Sequence, residues 1–112
     1  MTRFIYKICP TDIWQEAEDA GSFTGSGIDV IDGYIHFSTA AQTAETLALH
    51  FTKQDGLTLV EIDTNSLNIT WEESRGGQLF PHLYEALPLS AVRQSWQLTL
   101  DASGIHKLPD LS

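Results

Sequence analysis

Residues 34–42, Tyr34-Ile35-His36-Phe37-Ser38-Thr39-Ala40-Ala41-Gln42, change period in mid-course. From Tyr34 to Ser38, Ile35 and Phe37 fall on one face and Tyr34, His36 and Ser38 on the other, the alternation of a half-buried strand. At Thr39 the period lengthens. Thr39 with Gln42 carries a capping-box signature, and Ala40, Ala44, Leu47, Ala48 and Phe51 recur at helical spacing. A strand that runs straight into an amphipathic helix, in a chain without strict strand–helix alternation, argues for an α+β domain.

Upstream of this stretch, residues 4–8 mix Phe, Ile and Tyr and predict a strand that Pro10 ends. Asp12 with Gln15 gives a capping-box-like helix start. Ile13, Trp14, Ala17 and Ala20 share one side of that helix, and Gly21 stops it. Residues 21–33, GSFTGSGIDVIDG, hold four of the eight glycines and predict a loop closed by an Asp32-Gly33 turn. Gly25-Ser26-Gly27 has neither the strand before it nor the helix after it that a phosphate-binding loop needs, so it reads as a turn.

Downstream, residues 57–63 predict a central strand, and Leu67, Ile69 and Trp71 alternate as another. Residues 72–77 form a charged, glycine-ended loop. Residues 78–84 read as extended, with Pro81 assigning them to a sheet edge or a functional loop. Val92, Trp96, Leu98 and Leu100 share one parity in a long last strand. The expected architecture is one small domain over residues 1–101, with five or six strands and two main helices, and a polar, frayed tail over residues 102–112.

The composition narrows the function. The 112 residues are 42% hydrophobic and carry a net charge of −9. That suffices for one core and is too short for a two-domain transferase or dehydrogenase. It is also the wrong sign for a general DNA or RNA binder, so no DNA partner is expected. No apolar run is long enough for a signal peptide or a membrane span, which makes the expected location cytoplasmic, without membrane association. Cys9 is the single cysteine, reads as a small packing residue and can form no internal disulfide.

Two stretches carry chemistry. His36 and Ser38 share a strand face that ends at a helix N-terminus, where free N–H groups favour a phosphate, a carboxylate or a ribose hydroxyl; the plain alternative is that Ser38 caps the helix. His82 and Tyr84 repeat the spacing in Phe80-Pro81-His82-Leu83-Tyr84. If the two faces converge, they offer two imidazoles for proton transfer and a phenol for stacking. One of Glu72 and Glu73 can orient a ligand or act as a base. Arg75, followed by Gly76-Gly77, offers a cation to an anionic ligand or a loop salt bridge to a carboxylate. No zinc spacing and no nucleophile elbow are present, so neither a metal site nor a serine hydrolase is expected.

Taken together, Ile5-Tyr6-Lys7-Ile8, Trp14 with Ala17, Gly33-Tyr34-Ile35-His36-Phe37-Ser38 with Gln42, and Leu79-Phe80-Pro81-His82-Leu83-Tyr84 resemble the bacterial domain of unknown function 952 family over roughly residues 4–93. That resemblance implies no established reaction. The sequence is more distantly similar to the ADP-ribosyltransferase-like fold, particularly RNA 2′-phosphotransferases, where a short H-x-H-x-S-like strand follows an early tyrosine-containing strand. This second similarity implies a split sheet, with His36 and Ser38 facing an NAD or ADP-ribosyl pocket. It also implies that Tyr6 or Lys7 stands where that fold usually has a first-strand histidine, and it identifies no catalytic glutamate.

The sequence thus leads to an α+β domain with an ADP-ribosyltransferase-like split sheet and a cleft that recognises a small nucleotide or ADP-ribose-type ligand, with NAD-linked transfer or hydrolysis as its chemistry. NAD would be a substrate, and no metal is expected. His36 and His82 are the catalytic candidates. Ser38, Arg75, Tyr84, Tyr6 and Lys7 are the ligand-binding candidates, with Arg75 at the rim. The alternative is a non-catalytic module binding a small metabolite or a peptide end.

Overall fold

The computed structural model describes residues 3–111, with Arg75 described through its backbone. Three antiparallel sheets and two main helices form an α+β domain. The first sheet has the order β1 (Phe4–Pro10), β4 (Leu57–Asp63), β8 (Val92–Leu98), with the expected central strand in the middle. Every β4 residue from Leu57 to Ile62 is buried because both faces of this sheet are covered.

Alternation along β1 divides the interior. Ile5 and Cys9 join Trp14, Phe23, Val60, Ile62 and Leu83 in one core. Tyr6 and Ile8 join Leu47, Leu57, Leu59 and Leu98 in the other. The first core is roofed by α1 (Thr11–Ala20), the second by α3 (Thr43–His50). Each fully buried Leu or Ile contributes about 1.5–3 kcal/mol relative to exposure, so these two layers carry the fold. Cys9 is buried and its thiol is pushed up to about 11 by that burial.

Local chemistry explains most boundaries. The Thr39–Gln42 capping box forms, with the Gln42 side chain accepting from the Thr39 N–H at 3.0 Å, and it opens a turn of 3-10 helix that leads into α3. The box expected at Asp12 and Gln15 does not form: the helix is entered two residues earlier, with Pro10 rather than Asp12 at the cap, and Asp12 accepts from the neighbouring Ile13 N–H. Gly21 ends α1 in a left-handed conformation.

Four further expectations need correction, beside the strand count, which is eight among the described residues rather than five or six because short two-residue pairings add to the long strands. Residues 21–33 are not an irregular loop: they hold β2 (Ser22–Phe23) and a short helix, α2 (Ile28–Asp32), closed by left-handed Gly33. β2 pairs with β7 (Leu87–Pro88), which completes the second sheet. The strand expected through Ser38 pairs as β3 over Ile35–His36 alone. The third sheet has the order β3, β6 (Leu79–Leu83), β5 (Thr70–Glu73), so the Pro81 strand is central rather than at an edge. Proline fits because its missing N–H would point where β3 has already stopped. On that side Pro81 offers its carbonyl, which accepts from the Phe37 N–H at 3.0 Å.

The fourth correction is the end of the chain, which folds back rather than fraying. Leu100 bridges His106, Lys107 N–H donates to Thr99, and Leu108 and Leu111 pack against the second core. Among the described residues no helix is long and apolar enough to cross a membrane.

Candidate functional site

The β3–β6 ladder puts His36 directly opposite His82. Their ring centroids lie 5.2 Å apart in an edge-to-face arrangement. The Tyr34 ring touches both, at 4.5 Å from each imidazole, and stands 4.8 Å from the Tyr84 ring. Four rings from two strands and their flanks thus form one contiguous cluster. Tyr34 and Tyr84 also line a groove of about 430 Å³ that runs past Asp29 and Glu85.

Each imidazole is held by carboxylates. Nδ1 of His82 lies 2.7 Å from Glu72 Oε1, and the same oxygen accepts from the Tyr84 hydroxyl at 2.6 Å. Glu72 reaches both because β5 neighbours β6, with Thr70 opposite His82 and Glu72 opposite Phe80. The Tyr84 bond, then that of His82, holds the Glu72 carboxyl below its ordinary range. Reciprocally, the Glu72 carboxylate pushes the Tyr84 phenol up to about 12, so it stays a donor at neutral pH.

His36 is gripped from α2. Its Nδ1 lies 2.7 Å from Asp29 Oδ1 and its Nε2 3.1 Å from Asp32 Oδ2. Asp29 is the hub. Its Oδ1 also accepts from the His36 backbone N–H, and its Oδ2 takes the Ser26 N–H at 3.0 Å and the Lys7 ammonium at 2.6 Å. Burial alone would raise the Asp29 carboxyl, but the His36 bond and the Lys7 charge outweigh it and hold the group below its ordinary range. Gly25 is required here: at φ +120°, a Cβ would meet the Asp29 Cβ at 2.9 Å. The Ser26 amide is thus engaged within the turn.

The ligand-binding candidates separate. Tyr84 stands in the ring cluster and Lys7 beneath it, its ammonium held by Asp29 and donating to the His36 carbonyl at 2.9 Å. Ser38 and Tyr6 do not join them. At Phe37 the chain leaves β6 and turns to β1, where Tyr6 and Ser38 exchange two backbone bonds of 2.8 Å. This change of partner sends the Ser38 hydroxyl to Thr46 on α3 at 2.9 Å and leaves Tyr6 bonded to Glu61 at 2.8 Å. Ser38 does not cap the helix either, since Thr39 fills that position. The Arg75 backbone lies in a 3-10 turn (Arg75–Gly77), and its expected place at the rim concerns a side chain outside the described residues. Among the described residues no three His, Cys, Asp or Glu groups are placed to hold a metal ion.

Sequence reasoning did not select Asp29, Asp32 or Tyr34. Tyr34 shares the parity of His36 and was within reach of that argument. The spacing of Asp29 and Asp32 before Gly33 was the available signal for the other two.

No curated protein matches the chain significantly. Among solved structures, the crystal structure of protein CC0527 from Caulobacter crescentus is 40% identical over 93% of each chain, with a TM-score of 0.87. A solution NMR structure of CC0527 is 42% identical over 91% of this chain and 90% of that one, with a TM-score of 0.82. The profile of the family described as protein of unknown function (DUF952) matches residues 8–95, which contain both histidines, Asp29 and Glu72. With the profile covering most of the chain, the protein belongs to the DUF952 family.

Proposed function

We infer that the histidine cluster forms a cleft that recognises a small ligand of the nucleotide or ADP-ribose class and supports proton transfer during its NAD-linked transfer or hydrolysis. One observation carries this reading: two imidazoles from distant parts of the chain face each other at 5.2 Å, and each is oriented through Nδ1 by a carboxylate at 2.7 Å. Carboxylate-oriented imidazoles are well suited to general acid–base work. Tyr34 and Tyr84 supply faces on which a base can stack.

An ADP-ribosyltransferase-like relation belongs to the same proposal. The adjacency of the early tyrosine strand and the His36 strand, joined at Tyr6 and Ser38, supports it. A second reading, a non-catalytic module for a small metabolite or a peptide end, draws on Val30 and Ile31, which lie 69% and 83% exposed on α2 beside the histidines. Those side chains offer an apolar contact that a nucleotide does not need.

Thermal-shift measurements with ADP-ribose, NAD and AMP test recognition. A ligand at about 100 times its dissociation constant should add about 2.7 kcal/mol of stability. Failure of all three to shift the transition favours the second reading, and incubation with NAD then tests turnover separately.

A further inference from the structure

We propose that the two histidines are pre-set as donor and acceptor at neutral pH, with His36 carrying protons on both ring nitrogens and His82 presenting a bare Nε2. This assignment rests on the reading of the cluster as a ligand site, and it names the group each ring offers.

Asp29 receives four bonds, from Lys7, the Ser26 amide, the His36 amide and His36 Nδ1, so it acts only as an acceptor. His36 Nδ1 therefore carries a proton. The opposite nitrogen, Nε2, faces a second carboxylate, Asp32, at 3.1 Å. A neutral imidazole protonated at Nδ1 would set a lone pair against that oxygen, whereas a doubly protonated ring satisfies both contacts. Charge balance agrees. With His36 cationic, Lys7 and His36 offset Asp29 and Asp32, and the buried Lys7–Asp29 pair leaves no excess charge.

His82 differs on each count. One carboxylate contacts it, Glu72, which already accepts from Tyr84. Its side chain is 4% exposed and is enclosed by Glu72 and the neighbouring rings. The His36 ring, 5.2 Å away, makes a second cation beside it unfavourable. Nδ1 donates to Glu72, and among the described residues Nε2 has no hydrogen-bond partner. A buried acceptor without a donor is costly to leave unmade, so this nitrogen is the acceptor the cluster offers to a hydroxyl. On His36, the Asp32 contact is the longer and more exposed one, so that N–H is the one a ligand oxygen can share. The matching chemical group is a pair of adjacent oxygens, one donating and one accepting, as in a ribose cis-diol.

Nitrogen-15 NMR of the imidazoles of the ligand-free protein at pH 7 reads the protonation directly, whatever the protein binds. The expected result is two protonated nitrogens on His36, and on His82 a protonated Nδ1 with a bare Nε2. In Asp32→Asn, which removes the second carboxylate at an exposed position, His36 should lose its second proton while His82 is unchanged. A neutral His36 or a doubly protonated His82 in the wild type overturns the assignment, as does a His36 indifferent to Asp32→Asn. Addition of D-ribose and of 2-deoxyribose to the same sample separates this from the ligand reading: only the diol should move the His82 Nε2 signal. Movement by neither sugar removes the ribose match and leaves the protonation result standing by itself.

Discussion

Lys7 and Asp29 close a 2.6 Å ion pair with side chains only 7% and 1% exposed, and through it β1 anchors the short helix that holds His36. Removing one partner of such a pair strands the other charge in the interior, which typically costs 3–5 kcal/mol, roughly a third or more of a small domain's stability. Asp29→Asn, which also weakens the grip on His36, should therefore lower urea-unfolding stability by about 3 kcal/mol or more. A loss under about 1 kcal/mol would mean that water or local rearrangement already compensates Lys7.

The same carboxylate sets an acid limit. The folded-state pKa of Asp29 lies below its ordinary value. Its contribution is therefore full above the unfolded-state value of about 3.9 and is lost as pH falls through the lower folded value. Stability should decline on acidification below about pH 4, and the decline should be shallower in Asp29→Asn. Equal slopes for wild type and variant in denaturation series between pH 5 and pH 2.5 would assign the acid sensitivity to other carboxylates.

Tyr84 offers a spectroscopic check on the other arm of the cluster. Donation to Glu72 pushes its phenol up to about 12. In Glu72→Gln the phenol should ionise nearer the ordinary value of about 10. Ultraviolet titration of the wild type against this variant measures the change, with Tyr84→Phe identifying the signal. A Tyr84 titration indifferent to Glu72→Gln would contradict the 2.6 Å bond.

His82 is the more buried of the two imidazoles and packs between Tyr34 and Glu72. His82→Ala should cost about 1–3 kcal/mol, from lost packing together with one lost charge-assisted bond. His36→Ala should cost less directly, since its ring is 28% exposed, but it leaves Asp29 short of a donor. Calorimetric melting of both variants gives the order, and a greater loss for His36→Ala would place the structural weight on α2.

Much of this was legible in residue patterns. The apolar run that becomes β4, buried from Leu57 to Ile62, the two main helices and the Thr39–Gln42 box act through local periodicity, and only the start of the first helix departs from the pattern. The facing histidines were reachable too, because same-parity pairs at 36 and 82 suggested two polar faces able to meet. What escaped notice depends on inverted burial. On α2 the apolar Ile28, Val30 and Ile31 are 60%, 69% and 83% exposed, while Asp29 is 2% exposed. A reading that sends apolar residues inward cannot find such a helix, whose place is fixed by the ion pair with Lys7. Ser38 was misplaced for a related reason: parity holds only while a strand keeps its partner, and this chain changes partner at Phe37. The returning C-terminal segment is held by long-range contacts of Leu108 and Leu111, which a polar composition conceals.

If His36 and His82 form one ligand site, the chain carries its own control, since His50 and His106 lie elsewhere. His50 ends α3, and His106 is bonded to the Gln54 carbonyl. The histidine-ring proton–carbon NMR spectrum, titrated with ADP-ribose, reads all four rings at once. The His36 and His82 signals should move together along one binding curve while those of His50 and His106 stay fixed. Four unmoved rings, or movement confined to His50 or His106, would contradict it.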